Sequence, residues 1–382
     1  MPCCVDKRIL RLELDSFRFI LPALLLTTAT HYEKLSRPAV RLMTQQTLST
    51  AVFASRDLAT ILEPIKAELE LVEKWLVSNL VDDSPFIEGL LAQVFQAGGK
   101  RIRPALCLLS AKATADSGEI GRLQIILAVL TELIHTASLV HDDVIDAASL
   151  RRGQETVNRQ WSDKLAVLIG DLLFAQASVC LARLMNPEIV GIYGQVLGDL
   201  CAGEIRQMRA QFVTNADWDT YIQKSIWKTA SLISAGTHSA PILNGRSMEV
   251  VGAMKEYGLN LGICFQIIDD LLDYTGTSSS LGKPAGSDLA QGLVTAPAMF
   301  ILSRKDEAAG RLEDIIKNRG VSTPEGIAEA LSIVRNHGGI ESTIELARNY
   351  AQKARTSLQV LSPSAYRDSL DALIDWLLMR TS

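Results

Sequence analysis

From Asp57 onward, apolar residues recur at spacings of three and four and never alternate. Leu123-Ile126-Leu127-Leu130-Ile134 and Leu172-Leu173-Ala177-Cys180-Leu181-Leu184 are two examples. A helix places such residues on one face, whereas a half-buried strand needs a period of two. The rule therefore predicts an all-helical chain. Several of these stretches are apolar on more than one face, as central helices of a large bundle are. Proline is sparse and falls at helix starts or breaks: Pro64, Pro85, Pro104, Pro187, Pro241, Pro284, Pro297 and Pro324. Asp57 and Ser84 are suitable N-caps. Thr275 to Gly292, rich in Ser, Gly and Thr, reads as a long loop. No internal repeat or low-complexity segment interrupts the pattern.

The first 42 residues read differently. Phe17 to Thr28 is apolar but short, broken by Pro22 and preceded by Asp6, Glu13 and Asp15. A signal peptide wants a basic start and a plastid transit peptide is poor in acids, so neither fits well. Residues 1–42 are expected to be an extension, with Met43 as a natural start or a divergent targeting segment ahead of it. Residues 43–382 are expected to form one domain. No run of 18 apolar residues occurs, so no spanning helix is expected. A net charge of −5 gives no electrostatic case for nucleic acid. The six cysteines form no CxxC pair, which argues against a zinc site or a disulfide framework and for a reducing compartment.

Two acidic clusters stand out: Asp142-Asp143-Val144-Ile145-Asp146 and Asp269-Asp270-Leu271-Leu272-Asp273. On a helix, i and i+4 lie on one face, so Asp142 and Asp146 project together, as do Asp269 and Asp273. Crowded carboxylates repel one another unless a cation neutralises them. Magnesium takes oxygen ligands and combines one or two carboxylates with water and substrate phosphates. An exposed acidic face is the plain alternative for one such cluster. Two copies, each preceded by apolar residues (Ala137, Leu139, Val140; Ile263, Phe265, Ile267, Ile268), are poorly explained as solvated surface.

Cations accompany the acids. Gly98-Gly99-Lys100-Arg101-Ile102-Arg103 sets three after a glycine pair, and Arg151-Arg152 follows the first cluster. Lysine and arginine bind phosphate as a point charge and as a fork. A basic turn is the plain reading of the first group, and a core histidine that of His135. Lys228, Thr229 and Gln266 are polar residues within apolar helical stretches, and buried polar groups need partners.

Together these motifs resemble the trans-polyprenyl diphosphate synthase family, over roughly Asp57 to Ser382. The resemblance rests on GGKRIRP, HTASLVHDDVIDAASLRRG, GDLLFA (Gly170 to Ala175), KTASL (Lys228 to Leu232) and FQIIDDLLDYTG (Phe265 to Gly276). It implies an all-α bundle of the isoprenoid synthase type around a deep central cavity, usually as a homodimer. By this resemblance, Asp142, Asp143, Asp146, Asp269, Asp270 and Asp273 bind Mg2+, for which Mn2+ can substitute, and the allylic diphosphate. Arg151, Lys228 and Lys283 hold the allylic diphosphate. Lys100, Arg103, His135 and Arg152 hold isopentenyl diphosphate, and Thr229 and Gln266 face the reacting carbons. One departure is Leu293, where many members carry a second lysine after the loop.

Ala137 and Ser138, one turn before Asp142, are small. Relatives that make short products carry bulky residues there, so a long product is expected. Closest in pattern are long-chain, solanesyl (C45)-type synthases of cyanobacteria and plastids, which supply quinone side chains. That implies a cytoplasmic (cyanobacterial-type) or plastid location, with peripheral membrane contact open. A shorter-chain geranylgeranyl or farnesyl synthase is the nearer alternative. A class I terpene cyclase would carry a mixed Asn/Ser/Glu second motif and need no GGKRIRP. A non-catalytic regulatory subunit would have lost one aspartate cluster.

Overall fold

The computed structural model describes residues 57–78, 84–96, 98–151, 153–215, 217–276 and 285–380. Residues 1–42, Met43, Arg152, Lys283 and Pro284 lie outside them.

The described residues are dominantly helical, as the periodicity requires. In chain order the helices are α1 (Leu58–Leu62), α2 (Lys66–Ser78), α3 (Pro85–Gln96), α4 (Ile102–Thr114) and α5 (Arg122–Ile145). Then follow α6 (Val157–Gln160), α7 (Asp163–Arg183), α8 (Pro187–Arg209), α9 (Trp218–Ser225), α10 (Ser231–Leu243) and α11 (Met248–Thr275). The chain ends with α12 (Ser287–Ala290), α13 (Ala296–Leu302), α14 (Glu307–Lys317), α15 (Pro324–Asn336), α16 (Gly339–Ser357) and α17 (Ala365–Met379).

Side-chain caps explain many starts. Asp57 accepts from the Thr60 amide at 2.7 Å and Asp217 from that of Thr220 at 2.7 Å. Asn186 accepts from Glu188 and Ile189 just ahead of Pro187. Each cap satisfies an amide that the first helical turn leaves unpaired.

The core is built around α5 and α11. α5 packs most extensively against α7, and α11 against α16 and α10. Leu127, Leu130, Leu133, Ile134, Ile267, Ile268 and Leu271 are all fully or almost fully buried. A smaller cluster around Tyr274, Leu289, Ile301, Leu312 and Ile316 supports the segment after α11. Two glycines let helices meet closely. A Cβ on Gly170 of α7 would come within 2.1 Å of His141 Nε2 on α5. One on Gly262 of α11 would meet Ala230 Cα at 2.5 Å.

Four local features depart from the sequence reading. Leu150–Arg151 and Gln154–Glu155 form a two-stranded antiparallel hairpin, β1 and β2, where no strand was expected. Two residues per strand are too few to show alternation. Pro241 lies inside α10, near its end, rather than at a break. The expected loop is shorter than Thr275 to Gly292, because Thr275 closes α11 and Ser287–Ala290 is helical. Finally, α5 and α7 are long and apolar enough to cross a membrane by length and composition, although no unbroken apolar run announced them. α5 is mostly buried within the protein, which accounts for its apolarity, whereas α7 is only one-third buried.

Candidate functional site

Both aspartate clusters occupy the C-terminal ends of long helices, α5 and α11. Carboxylates are disfavoured there, because the helix dipole already places negative charge at that end. Their position therefore calls for cations.

The first cluster splits by environment. Asp143 is buried and accepts from Arg151 Nε at 2.8 Å, with Arg151 Nη2 at 2.7 Å. Arg151 reaches it from β1, so the hairpin that the periodicity could not show is what positions this arginine. Asn158 holds the hairpin's base through the Asp143 and Ala148 carbonyls. Asp142 is half-buried, and burial pushes its carboxyl up to about 6; Lys228 opposes the shift, while Glu204 and Asp146 add to it. Asp146 caps α5 and is exposed.

In the second cluster, Asp270 is buried and accepts from the Tyr221 hydroxyl at 2.7 Å and Gln266 Nε2 at 2.7 Å. Burial pushes this carboxyl up to about 6, and neighbouring Asp288 adds to the rise. Lys224 and the two hydrogen bonds counter it. Asp273 accepts from Ser287 Oγ at 2.8 Å and from the Asp288 amide at 3.0 Å. It thereby ties α12 to α11. Asp269 pairs with Arg380 Nη2 at 3.0 Å.

Lys228 and Thr229 sit in a π-helical turn, Ile226–Ala230. Such bulges occur frequently at functional sites. Thr229 donates to Gln266 Oε1 at 2.5 Å, and the Gly262–Ala230 approach brings the two helices together there. Lys228 Nζ lies 3.5 Å from Gln207 Oε1 and 3.9 Å from Glu204 Oε2. Across the site, Arg103 Nη1 meets His135 Nε2 at 2.9 Å. Lys100 Nζ stands 4.9 Å from the Trp376 ring centroid.

The structure thus brings Thr229 to Gln266, Arg103 to His135 and Arg151 to Asp143. Arg101 does something else. It takes a left-handed φ of 48° and pairs with Glu73 and Glu132, which makes it a structural staple. Ala137 is fully buried among the core residues, and Ser138 Oγ turns back to the His135 carbonyl. Leu293 is buried, as its apolar side chain requires.

Sequence reasoning missed Tyr221, Glu204, Gln207, Lys224, Asp288 and Arg380. Lys224, one turn before Lys228, carried a signal: a second cation on the same helical face. Burial holds its ammonium below the usual lysine range, against the charges of Asp270, Asp288 and Glu204. Arg380 lies 111 positions after Asp269, and no local pattern announces such a pairing.

The donor set suits a hard divalent cation. Its oxygens come from carboxylates that burial and mutual repulsion leave short of positive charge. Among the described residues no three His, Cys, Asp or Glu side chains converge into a ready-made cage.

Comparison with known proteins shows which chains this one resembles. Residues 84–334 match the family model described as polyprenyl synthetase. The chain is 41% identical to solanesyl-diphosphate synthase 2, chloroplastic, of Oryza sativa subsp. japonica, over 85% of this chain and 80% of that one. It is 43% identical to a prenyl transferase of Synechocystis, over 84% and 98%. The crystal structure of a polyprenyl synthase from Caulobacter crescentus, complexed with calcium and isoprenyl diphosphate, superposes with a TM-score of 0.79 at 29% identity, over 86% of this chain and 99% of that one.

Proposed function

Since the chain belongs to the polyprenyl synthetase family, whose members are all-α prenyltransferases, we propose that it is a long-chain all-trans-polyprenyl diphosphate synthase, most similar in action to solanesyl synthases. The family uses a divalent metal ion together with isopentenyl and allylic diphosphates. For this chain we assign Mg2+, with Mn2+ as a substitute. The observation that carries the reading is the pair of aspartate clusters at two helix C-termini, each with a carboxyl driven up to about 6 by burial. The 41% identity to a solanesyl-diphosphate synthase supports the long product.

In this reading Asp142, Asp143, Asp146, Asp269, Asp270 and Asp273 would hold divalent ions, which would supply positive charge to the departing allylic diphosphate. Arg151, Lys228 and Lys283 contact the same diphosphate, and departure leaves an allylic cation. The Thr229 and Gln266 dipoles face that cation, and the chain excludes water that would quench it. Lys100, Arg103, His135 and Arg152 hold isopentenyl diphosphate, whose double bond attacks the cation. The proton then lost passes to the released diphosphate. The product grows past Ala137 and Ser138.

The working form in this reading is a homodimer. Val167, Leu168 and Val179 on α7 are exposed, as are Ile205 and Met208 on α8. A partner copy would cover exposed apolar side chains such as these. The exposed Phe86–Trp161 pair, edge to face at 5.3 Å, favours peripheral membrane contact by an enzyme with a water-insoluble product. Residues 43–382 constitute the synthase domain. Its location is cyanobacterial-type cytoplasm, with the plastid as the alternative.

The test is turnover. The full chain with labelled isopentenyl diphosphate, an allylic primer and Mg2+ should yield polyprenyl diphosphates of about C45. Products no longer than C20 would replace this assignment with a short-chain one.

A further inference from the structure

Where α8 ends, the chain turns through a strained corner. Phe212, just past Arg209, is half-buried and holds a left-handed φ of 61°. Glycine takes that conformation readily, but for a bulky aromatic residue it is an outlier. Such strain persists only where the surroundings enforce it. Three contacts do so here. The Phe212 amide donates to the Gly292 carbonyl at 2.7 Å. The ring lies against Gly292, where a Cβ would meet its atoms at 2.7 to 2.8 Å. Arg319, itself left-handed at φ 55°, brings its guanidinium carbon to 4.8 Å from the ring centroid. Thr214 Oγ1 donates to Glu313 Oε1 at 3.0 Å and anchors the same corner to α14.

Gly292 closes the short helix α12, and the other end of α12 rests on Asp273. Ser287 Oγ donates to Oδ1 at 2.8 Å and the Asp288 amide to Oδ2 at 3.0 Å, while the Gly286 amide meets the Asp273 carbonyl at 2.8 Å. Between the two ends, the Gly292 amide donates to the Leu289 carbonyl and that of Leu293 to the Asp288 carbonyl. A single turn is too short to hold itself, so α12 depends on what pins its ends. Phe212 also packs against the apolar cluster of Tyr274 and Leu289, next to Asp273 in the chain. A carboxylate oxygen can accept twice, so the bonds from α12 orient Asp273 without using it up. Resting on the function proposed above, in which Asp273 holds a divalent ion, we propose that Phe212 is a positioning residue for the second metal cluster. Its docking on Gly292 holds α12 as a strut against Asp273 and fixes the direction in which that carboxylate faces the ion. The groups that hold a ligating carboxylate set its affinity for the metal almost as much as the ligand does. The strut reaches further, because α8 carries Glu204 and Gln207 to Lys228 Nζ just before the corner. One stretch of chain therefore sets both the surroundings of Lys228 and the orientation of Asp273.

The experiment measures Mn2+ binding to the full chain in the presence of inorganic diphosphate, read by loss of the free-ion electron paramagnetic resonance signal. No allylic primer is present, so no reaction intervenes. F212A should weaken Mn2+ binding about tenfold. F212Y, which keeps the ring, should bind as the parent does. In a D273N background F212A should add nothing, because the strut then has no ligand to orient. In turnover assays F212A should raise the Mg2+ concentration for half-maximal rate by the same factor, with kcat at saturating Mg2+ and the KM for isopentenyl diphosphate moving little. Loss of packing alone would lower the melting temperature without that split. G292A displaces the ring from the side of the strut and answers the same question should F212A unfold. Parent-like Mn2+ binding in either folded variant overturns the inference, as does full additivity of F212A with D273N. A parent chain that does not elongate at all would instead overturn the assigned function.

Discussion

Thr229 donates its hydroxyl to Gln266 Oε1 at 2.5 Å, across the closest approach of the π-helical turn and α11. This fixes the orientation of the glutamine amide, whose Nε2 then points at Asp270 Oδ1 at 2.7 Å. One hydroxyl thereby sets two dipoles.

T229V should release that orientation while preserving volume. We expect kcat to fall about tenfold to a hundredfold with little change in the allylic KM, the pattern for a group that acts mainly in the transition state. Steady-state kinetics with a saturating primer would reveal it. An unchanged kcat would remove Thr229 from the reacting-carbon environment.

As a proposed metal ligand, Asp142 should make metal binding pH-dependent. Its carboxyl rises from 3.8 to about 6 in the folded chain. Mg2+ must displace the proton, so affinity should weaken as pH falls through about 6, with protons released on binding. The stability sign follows from the same shift. Between the two values the folded chain binds more protons than the unfolded one, so the metal-free protein loses stability as pH rises, and the loss is complete above about 6. D142N should therefore raise the metal-free melting temperature at pH 7, reflecting on the order of 3 kcal/mol of added stability, while weakening Mg2+ binding. A lower melting temperature in D142N would contradict this account.

Y221F removes the hydroxyl that bonds Asp270. That bond favours the ionised carboxylate and, with Lys224 and Gln266, limits the rise caused by burial. Without it the acid limb of the kcat/KM profile should move upward by about half to one pH unit. Profiles that superimpose would show that Asp270 does not control that limb.

A137F should shorten the product. Ala137 is fully buried one turn before the first cluster, where a phenyl ring has no room except by intruding on neighbouring space. Chromatography of the products reads the result directly, and an unchanged length distribution would shift the determinant to another helix.

L168E should weaken self-association. Leu168 is 63% exposed on α7, which is apolar yet only one-third buried. Sedimentation should show a monomer at concentrations where the parent chain is dimeric. A persistent dimer would place the interface on another face.

What the sequence revealed depended on the range of the interaction. The aspartate clusters, KTASL and FQIIDD were legible because each is one helical face plus its apolar flanks. Lys100, Arg101 and Arg103 show where such reading stops. Three cations within four residues look alike in a string, yet a left-handed backbone at Arg101 turns that side chain to Glu73 and Glu132. Tyr221 on Asp270 and Arg380 on Asp269 were invisible because their partners lie 49 and 111 positions away. The β1–β2 hairpin was hidden by brevity, although it carries Arg151. The apolarity of α5 and that of α7 have different origins: one helix is core, and the other presents an unburied face.

The π-helical turn also matters for how this protein can vary. A turn holding one residue more than an α-helix is equivalent to a single-residue insertion that the surrounding helices have absorbed. Removing one residue between Ile226 and Ala230 would let the ladder revert to regular α-helix. Everything on one side of the deletion would then rotate by about 100° relative to the other. Lys228 and Thr229 would keep their neighbours in sequence but lose their shared direction. Changes in chain length at this turn should accordingly be far less tolerated than substitutions there.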